Sequence, residues 1–430
     1  MKEFTMDRSR KYMTNTGYLK INSNPSSADS IITMKIENLP PLSEVEVFTK
    51  TISPFYCINA PLNFSSDNIW VSRNKFISDM NGVVNLNTSP PIHGDYQGAF
   101  PMGCISFMKP IRKKTKKIVK DIENIPLNNS YKIEFNIYLN GNLIEKKIIE
   151  RYFSQSNINM DKINFNDFEA RYFHIENGES LPSIIVISGS EGGIEKAQCI
   201  AQLLANHGYA TLAIGYFGLN TTSKNLSEIP LEIIKEAIFF LKNKKEIDPN
   251  RIGIYGRSKG AELALIASNY FHEITCIVLN SPTILSFEGI NKKLPSRKPS
   301  WIFENEQIDY FRFNLRDFIY SKIICEKYPN LNKENKGEIP LENIKANILC
   351  LAATNDEIWD SYTSTFLIGK KLKKLNFKYN FQYKFFTNSG HMMTLPFIPN
   401  NRYPKKNKIM LMNDTLNSWN ATLNYFNKYL

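Results

Sequence analysis

The sequence predicts an α/β protein, with a mostly parallel sheet covered by helices on both faces, preceded by a small antiparallel β-sandwich of immunoglobulin-like type. Three observations carry this. Residues from Ile31 to about Phe153 alternate apolar and polar with a period of two, cut by turns. From about Asp161–Glu169 onward, short apolar runs alternate with helix-length segments, which is the pattern of a parallel sheet. At 430 residues the chain is too long for one ordinary core. The expected division is a sandwich over residues 1–155 and an α/β domain over 156–430.

The elements follow in order. In the first part, Val45 and Val47 alternate with Glu44 and Glu46, and Asn81-Gly82 marks a turn. Ile133, Phe135, Ile137 and Leu139 share a face opposite Lys132, Glu134 and Asn136. Asn140-Gly141 then turns the chain into Leu143–Glu150, a hairpin by its turn chemistry. No convincing amphipathic helix interrupts this part. In the second part, strands are expected at Ser183–Ser188, Ala210–Phe217, Ile252–Tyr255, Thr275–Leu279, Ile348–Ala353 and Asn380–Phe386. Helices are expected at Glu195–Asn206, at Leu231–Lys242 just after a proline, at Ala261–Ser268, at Tyr362–Leu375 and at Thr415–Tyr429. A long excursion runs from about Leu285 to Glu338, with helical pieces around Asp309–Tyr328.

Composition narrows the function classes. Hydrophobic residues make up 42% and charged residues 22%, as in a globular chain, and no apolar run is long enough to cross a bilayer. Met1–Lys20 is polar and charged, without an export segment. The six cysteines are scattered without paired spacing and read as buried free thiols in a reducing cytoplasm, not as a disulfide or metal framework. No metal and no cofactor is expected. Lysine and arginine number 53 against 41 acids, a net charge of +12. No recognisable nucleic-acid motif accompanies that charge. A phosphate-bearing substrate such as coenzyme A fits it better, and so does a plain lysine-rich compositional bias. The densest basic run, Arg112–Lys117, reads as a solvated loop.

The stretch that carries chemistry is Ile252–Ala267. An apolar run leads into Gly256-Arg-Ser258-Lys-Gly260, a G-x-S-x-G, and a helical segment follows. In strand–turn–helix context this is a nucleophile elbow. Either glycine, if it carried a side chain, would collide with a neighbouring element. The alternative is a glycine-rich turn with a capping serine. A serine nucleophile needs a base. Of His93, His174, His207, His272 and His391, only His391 follows the last strand, at the end where ligands bind in such sheets. The orienting carboxylate is expected at Asp356, after the Ile348–Ala353 strand, with Glu357 and Asp360 as neighbours that could substitute. The order Ser258, Asp356, His391 is that of the α/β-hydrolases. Two backbone N–H groups would bind the oxyanion. One is that of Lys259; the other comes from Gly189–Gly193, with Ser190 or Glu191 as donor.

Several segments together resemble a family. They are Gly189-Ser-Glu-Gly-Gly193, Leu212–Gly218, Ile229-Pro-Leu-Glu232, Gly256–Glu262, Asp356-Glu-Ile-Trp359 and Gly390-His391 with Pro396 and Pro399. In the first half, Ile36–Pro41 and Gly98–Met108 agree. They resemble the type I acyl-CoA thioesterases and the bile-acid-CoA:amino-acid N-acyltransferases. The resemblance spans nearly the whole chain. It implies an α/β-hydrolase domain behind a β-sandwich, a triad at Ser258, Asp356 and His391, and an acyl-CoA or carrier-bound acyl thioester as substrate. Conjugating members of that family typically carry cysteine as nucleophile and hydrolysing members serine, so Ser258 favours hydrolysis. Transfer to an amine, or cleavage of an ester or lactone, uses the same machinery. Asp360 stands where the family often has proline, and Ser188 where it often has glycine.

The excursion Leu285–Glu338 is far longer than an ordinary connection and is either a lid or a satellite core. Trp301, Ile302, Phe303, Tyr310, Phe311 and Phe318 give it more apolar surface than a solvated loop needs.

Overall fold

The computed structural model describes residues 17–60, 68–111, 129–291, 294–331, 336–393, 395–400, 402–403 and 407–430. The basic run Arg112–Lys117 and most of Met1–Lys20 lie outside them.

The second half is built on one sheet of eight strands. They are β1 (Ile158–Asn164), β2 (Glu169–Ile175), β3 (Leu181–Ile187), β4 (Ala210–Gly215), β5 (Ile247–Arg257), β6 (Ile274–Asn280), β7 (Asn347–Ala353) and β8 (Phe381–Phe386). Their order across the sheet is β1-β2-β4-β3-β5-β6-β7-β8. Strand β2 runs antiparallel to both of its neighbours, and every pairing from β4 to β8 is parallel. The helices are α1 (Glu195–Asn206), α2 (Glu232–Lys242), α3 (Lys259–Tyr270), α4 (Leu315–Ile323), α5 (Ser361–Lys374) and α6 (Lys408–Tyr429).

Alternation along the strands divides the sheet between two apolar layers. Ile184 and Val186 of β3 face a core shared with α1 and α6. Ile185 and Ile187, one residue out of step, face a second core with α2, α3 and α5. Both faces are buried, which is why these strands read as unbroken apolar runs.

The first half contains a three-stranded sheet (Tyr18–Ile21, Met34–Glu37, Val84–Asn85) against a larger one built on Glu44–Thr51, Trp70–Ile77, Ser130–Leu139 and Asn142–Tyr152. Pairing is antiparallel except where Arg151 and Tyr152 run parallel to Ser26 and Ser27. Leu19, Met34 and Ile36 from one sheet and Val45, Val47 and Ile133 from the other fill a single core, so the two sheets form a sandwich. That core continues without a break into the layer under α1 and α6. Polar ties reinforce the junction. Asp29 accepts from His207 Nε2 at 2.7 Å and from Trp419 Nε1 at 2.9 Å.

The structure extends or corrects several sequence expectations. Strands β1 and β2 fall where the sequence showed only a change of character, because they alternate imperfectly and pair at the sheet margin. Helix α6 begins at Lys408, two turns before Thr415, capped by Asn407, whose side chain accepts from Met410 N. Among its described residues the excursion holds one helix, α4, not several. Its first half is instead two hairpins, Glu288–Asn291 with Leu294–Pro299 and Trp301–Phe303 with Glu306–Gln307.

Candidate active site

Four carboxyl ends of the parallel strands converge. Ser258 follows β5, the Gly189–Gly193 loop follows β3, Asp356 follows β7 and His391 follows β8. Ser258 itself has φ 56° and ψ −121°. A side chain at positive φ is costly, about 1–3 kcal/mol, and persists only when its surroundings hold it. They do so here. The Ser258 N–H donates to Asn280 O at 2.9 Å. A Cβ on Gly256 would lie 2.3 Å from Gly260 O, and one on Gly260 would lie 2.5 Å from Ile187 O and Ser188 O. Both positions of the G-x-S-x-G therefore require glycine.

The Ser258 hydroxyl lies 2.8 Å from His391 Nε2. His391 Nδ1 lies 2.9 Å from each oxygen of Asp356. Asp356 also accepts from Ile358 N and Ser361 Oγ at 2.9 and 2.7 Å. Burial by itself would raise the Asp356 carboxyl. The hydrogen bond and charge of His391, together with Ser361 and Ile358, outweigh burial and hold it below its ordinary value. The ring is thus fixed at both nitrogens.

The neighbouring carboxylates have other partners. Glu357 accepts the backbone N–H of His391 at 2.9 Å and the Tyr403 hydroxyl at 2.8 Å. A Cβ on Gly390 would lie 2.4 Å from Glu357 Oε2 and 2.7 Å from Tyr403 Cζ, so a side chain there would have to displace both. Asp360 caps α5 through Thr363 N at 3.0 Å and pairs with Lys327. Its departure from proline therefore serves a helix start.

The Gly189–Gly193 loop lies against the serine. A Cβ on Gly189 would lie 2.9 Å from Ser258 Cβ. Gly192 and Gly193 have φ of 69° and 72°, which turns the loop into the start of α1. Glu191 uses its side chain to pair with Arg257, the residue before Ser258. Burial would push the Glu191 carboxyl up, but Arg257 and Lys196 draw it down to about 2. Ser190 is exposed at the loop tip. Lys259 opens α3, where the first N–H groups have no partner within the helix. Its side chain turns inward. Nζ donates to Glu262 Oε1 at 2.8 Å, Phe287 O at 3.0 Å and Ser300 Oγ at 2.7 Å.

The excursion packs on the site's own side. Trp359 meets the His391 ring edge-on at 5.3 Å and stacks on Phe287 at 5.4 Å, which stacks on Phe313 at 5.4 Å. Trp301 is a core residue and not part of a lid. It is fully buried, with Nε1 donating to Glu262 at 2.7 Å. Sequence reasoning missed Trp359, Ser361 and the Arg257–Glu191 side-chain pair as parts of the site, and named Glu357 only as an alternative partner for the His391 ring, where it instead accepts the His391 backbone N–H. Trp359 and Glu357 lie beside Asp356, and Glu191 and Arg257 lie in the Gly189–Gly193 and Gly256–Glu262 segments, all of which bore the resemblance; Ser361 carried no signal.

This fold, with a serine on a strained elbow, defines an enzyme of the α/β-hydrolase class. Comparison with known proteins places it more narrowly. The family region described as "BAAT / Acyl-CoA thioester hydrolase C terminal" matches residues 229–430, and "Acyl-CoA thioester hydrolase/BAAT N-terminal region" matches residues 29–165. The chain belongs to this family. Its relatives include acyl-coenzyme A amino acid N-acyltransferase 1 of Mus musculus, 25% identical over 392 residues, covering 89% of this chain and 88% of the relative. N-acyltransferase 2 of the same organism is 26% identical over 357 residues, covering 80% and 79%. Acyl-coenzyme A thioesterase 1 of Rattus norvegicus is 24% identical over 343 residues, covering 80% of each.

Proposed function

We propose that the chain hydrolyses acyl-CoA or carrier-bound acyl thioesters through an acyl-enzyme on Ser258. The observation that carries this reading is the imidazole of His391 bridging Ser258 Oγ at 2.8 Å and Asp356 at 2.9 Å. His391 Nε2 takes the hydroxyl proton as Ser258 Oγ bonds to the thioester carbonyl carbon. The carbonyl oxygen becomes an oxyanion, received by the N–H of Lys259 and an N–H of Ser190 or Glu191. The C–S bond then breaks, and the thiol leaves with the proton from His391. Water gives a proton to His391 and attacks the acyl-serine. The carboxylic acid leaves, and Ser258 recovers its proton. Asp356 keeps Nδ1 protonated and stabilises the imidazolium without taking the proton itself. No metal or redox group enters these steps. In this reading the sandwich and hydrolase parts, 1–155 and 156–430, work in a cytoplasmic setting.

A second reading replaces water with an amine, giving an amide. It is favoured by the N-acyltransferase names of two relatives. The test is a panel of acyl-CoA thioesters incubated with and without amino acids, with release of thiol and the acyl product both measured. Free acid alone supports hydrolysis, and an N-acyl amino acid supports transfer. Ser258→Ala should remove turnover by several orders of magnitude while the fold persists. Near-normal thiol release by that variant would sink both readings.

A further inference from the structure

Helix α4, Leu315–Ile323, is amphipathic in the wrong sense for a helix packed on a globular core. At about 100° per residue, Leu315, Ile319 and Ile323 form one stripe. Those side chains are 72%, 50% and 73% exposed. The face turned to the protein is instead that of Ser321, 6% exposed. By the same rotation, Arg316 and Lys322 lie about 60° to either side of the stripe, and Asp317 lies on the opposite face. Both cations are exposed. Tyr320, 63% exposed, lies beyond Arg316, and Ile324, just past the helix, falls on the side of Asp317. An apolar stripe flanked by basic side chains is the pattern of a helix lying in a lipid–water interface.

Its place in the fold agrees. Phe318 of α4 touches Tyr328 (5.7 Å), which touches Phe311 (5.9 Å), and Phe311 touches Phe287 (5.8 Å). Phe287 stacks on Trp359, which meets His391. A continuous row of rings thus links the outward helix to the catalytic end of the sheet. None of the described helices is long and apolar enough to cross a membrane. The contact is therefore one of lying on a surface, not spanning it. The chain's net charge of +12 and the two flanking cations select an anionic surface.

We propose that α4 docks this enzyme on an anionic lipid bilayer, with Leu315, Ile319 and Ile323 in the acyl boundary and Arg316 and Lys322 among the headgroups. Docking does not depend on which acyl reaction Ser258 performs. The test is co-sedimentation of the full chain with phosphatidylcholine vesicles, with and without phosphatidylglycerol. Thiol release from a short, water-soluble acyl-CoA is assayed separately. Wild type should sediment with the anionic vesicles and not with the neutral ones. R316Q/K322Q should lower partition about thirtyfold, and I319E/I323E at least about tenfold. Both variants should retain the wild-type melting temperature and soluble-substrate rate. The proposal is overturned if wild type ignores anionic vesicles or if both variants bind as wild type does. It is also overturned if light scattering shows a wild-type dimer that I319E/I323E converts to monomer, since a second copy then covers the stripe. Loss of thiol release with binding intact would instead count against the hydrolase reading alone.

Discussion

Replacing Glu191 by glutamine tests how the elbow and the glycine loop are held together. Glu191 pairs with Arg257 one residue before Ser258, and the Arg257 side chain is only 3% exposed. The Glu191 carboxyl sits at about 2 against an ordinary 4.5, the charges of Arg257 and Lys196 having overcome its burial. That difference corresponds to about 3 kcal/mol of folding stability. Breaking a buried pair by removing one partner typically costs about 3–5 kcal/mol, which agrees. For a chain of 430 residues, 3 kcal/mol lowers the melting temperature by about 3 °C. The sign with pH follows from the depressed carboxyl. Its contribution is full above the ordinary value and is lost as pH falls toward 2. Melting of E191Q and wild type should therefore differ by about 3 °C at pH 7, and the gap should close as pH drops below 4.5. Because the pair also holds the Gly189–Gly193 loop against Ser258, kcat should fall while KM changes little. The ceiling is the loss of one oxyanion donor, about 2.7–4 kcal/mol. Equal melting at pH 7, or a gap that ignores pH, would refute the reasoning.

Two further outcomes follow from the same geometry. Asp356→Asn leaves a partner for the His391 ring but permits the wrong tautomer, so kcat should drop by about four orders of magnitude. A variant within tenfold of wild type in thiol release would remove Asp356 from the proposed triad. Phe313 is 42% exposed and stacks on Phe287, so, on the reading that the excursion covers the acyl chain, Phe313→Ala should give that chain more room without emptying the core. Preference among acyl-CoA lengths should move toward longer chains by about 10–200-fold in relative kcat/KM. An unchanged length profile would assign the excursion to structure alone.

Much of this was legible in the sequence because it is local. A strand of apolar residues, two glycines that tolerate no Cβ and a helix make the elbow within sixteen residues. Asp356 and His391 could be placed because each directly follows a recognisable strand. What the sequence could not show depends on residues far apart in the chain. Trp359 and Phe287 meet because the excursion folds back over the strand ends. Arg257 finds Glu191 because β3 and β5 are sheet neighbours although 66 residues separate the pair. Trp301 reads as surplus apolar surface in a loop, but the indole is buried, with its N–H donating to Glu262 of α3. Strands β1 and β2 gave a weak signal because β1 is an edge strand with no buried residue and β2 is buried over Glu169–Phe173 without alternating exposure.

The β-sandwich bears directly on the candidate site through one loop. After His391 the chain continues through Met392–Tyr403, and residues 57–60 of the sandwich hold it. The Asn59 side chain donates to Leu395 O at 2.8 Å and Ile398 O at 3.2 Å and accepts from Leu395 N at 3.4 Å. The Cys57 thiol donates to Pro399 O at 3.0 Å, and Arg402 donates to Ala60 O at 3.2 Å. On the hydrolase side, Ser281 Oγ donates to His391 O at 2.8 Å, and Asn280 donates to Met393 O. The segment carrying His391 is therefore clamped between the sandwich and the end of β6. Asn59 is 1% exposed, so Asn59→Ala leaves buried backbone groups without these partners, at about 1–3 kcal/mol each. The loop should shift to satisfy them and carry His391 away from Ser258. We expect kcat to fall at least about tenfold, since small displacements of a positioned group cost that much or more, with KM nearly unchanged. Ser72→Ala is the control. Its hydroxyl bonds to Cys104 O and Thr49 within the sandwich, so it should lower the melting temperature without touching kcat. If Asn59→Ala likewise loses only stability, the sandwich is a scaffold and the position of His391 is set by the hydrolase sheet alone.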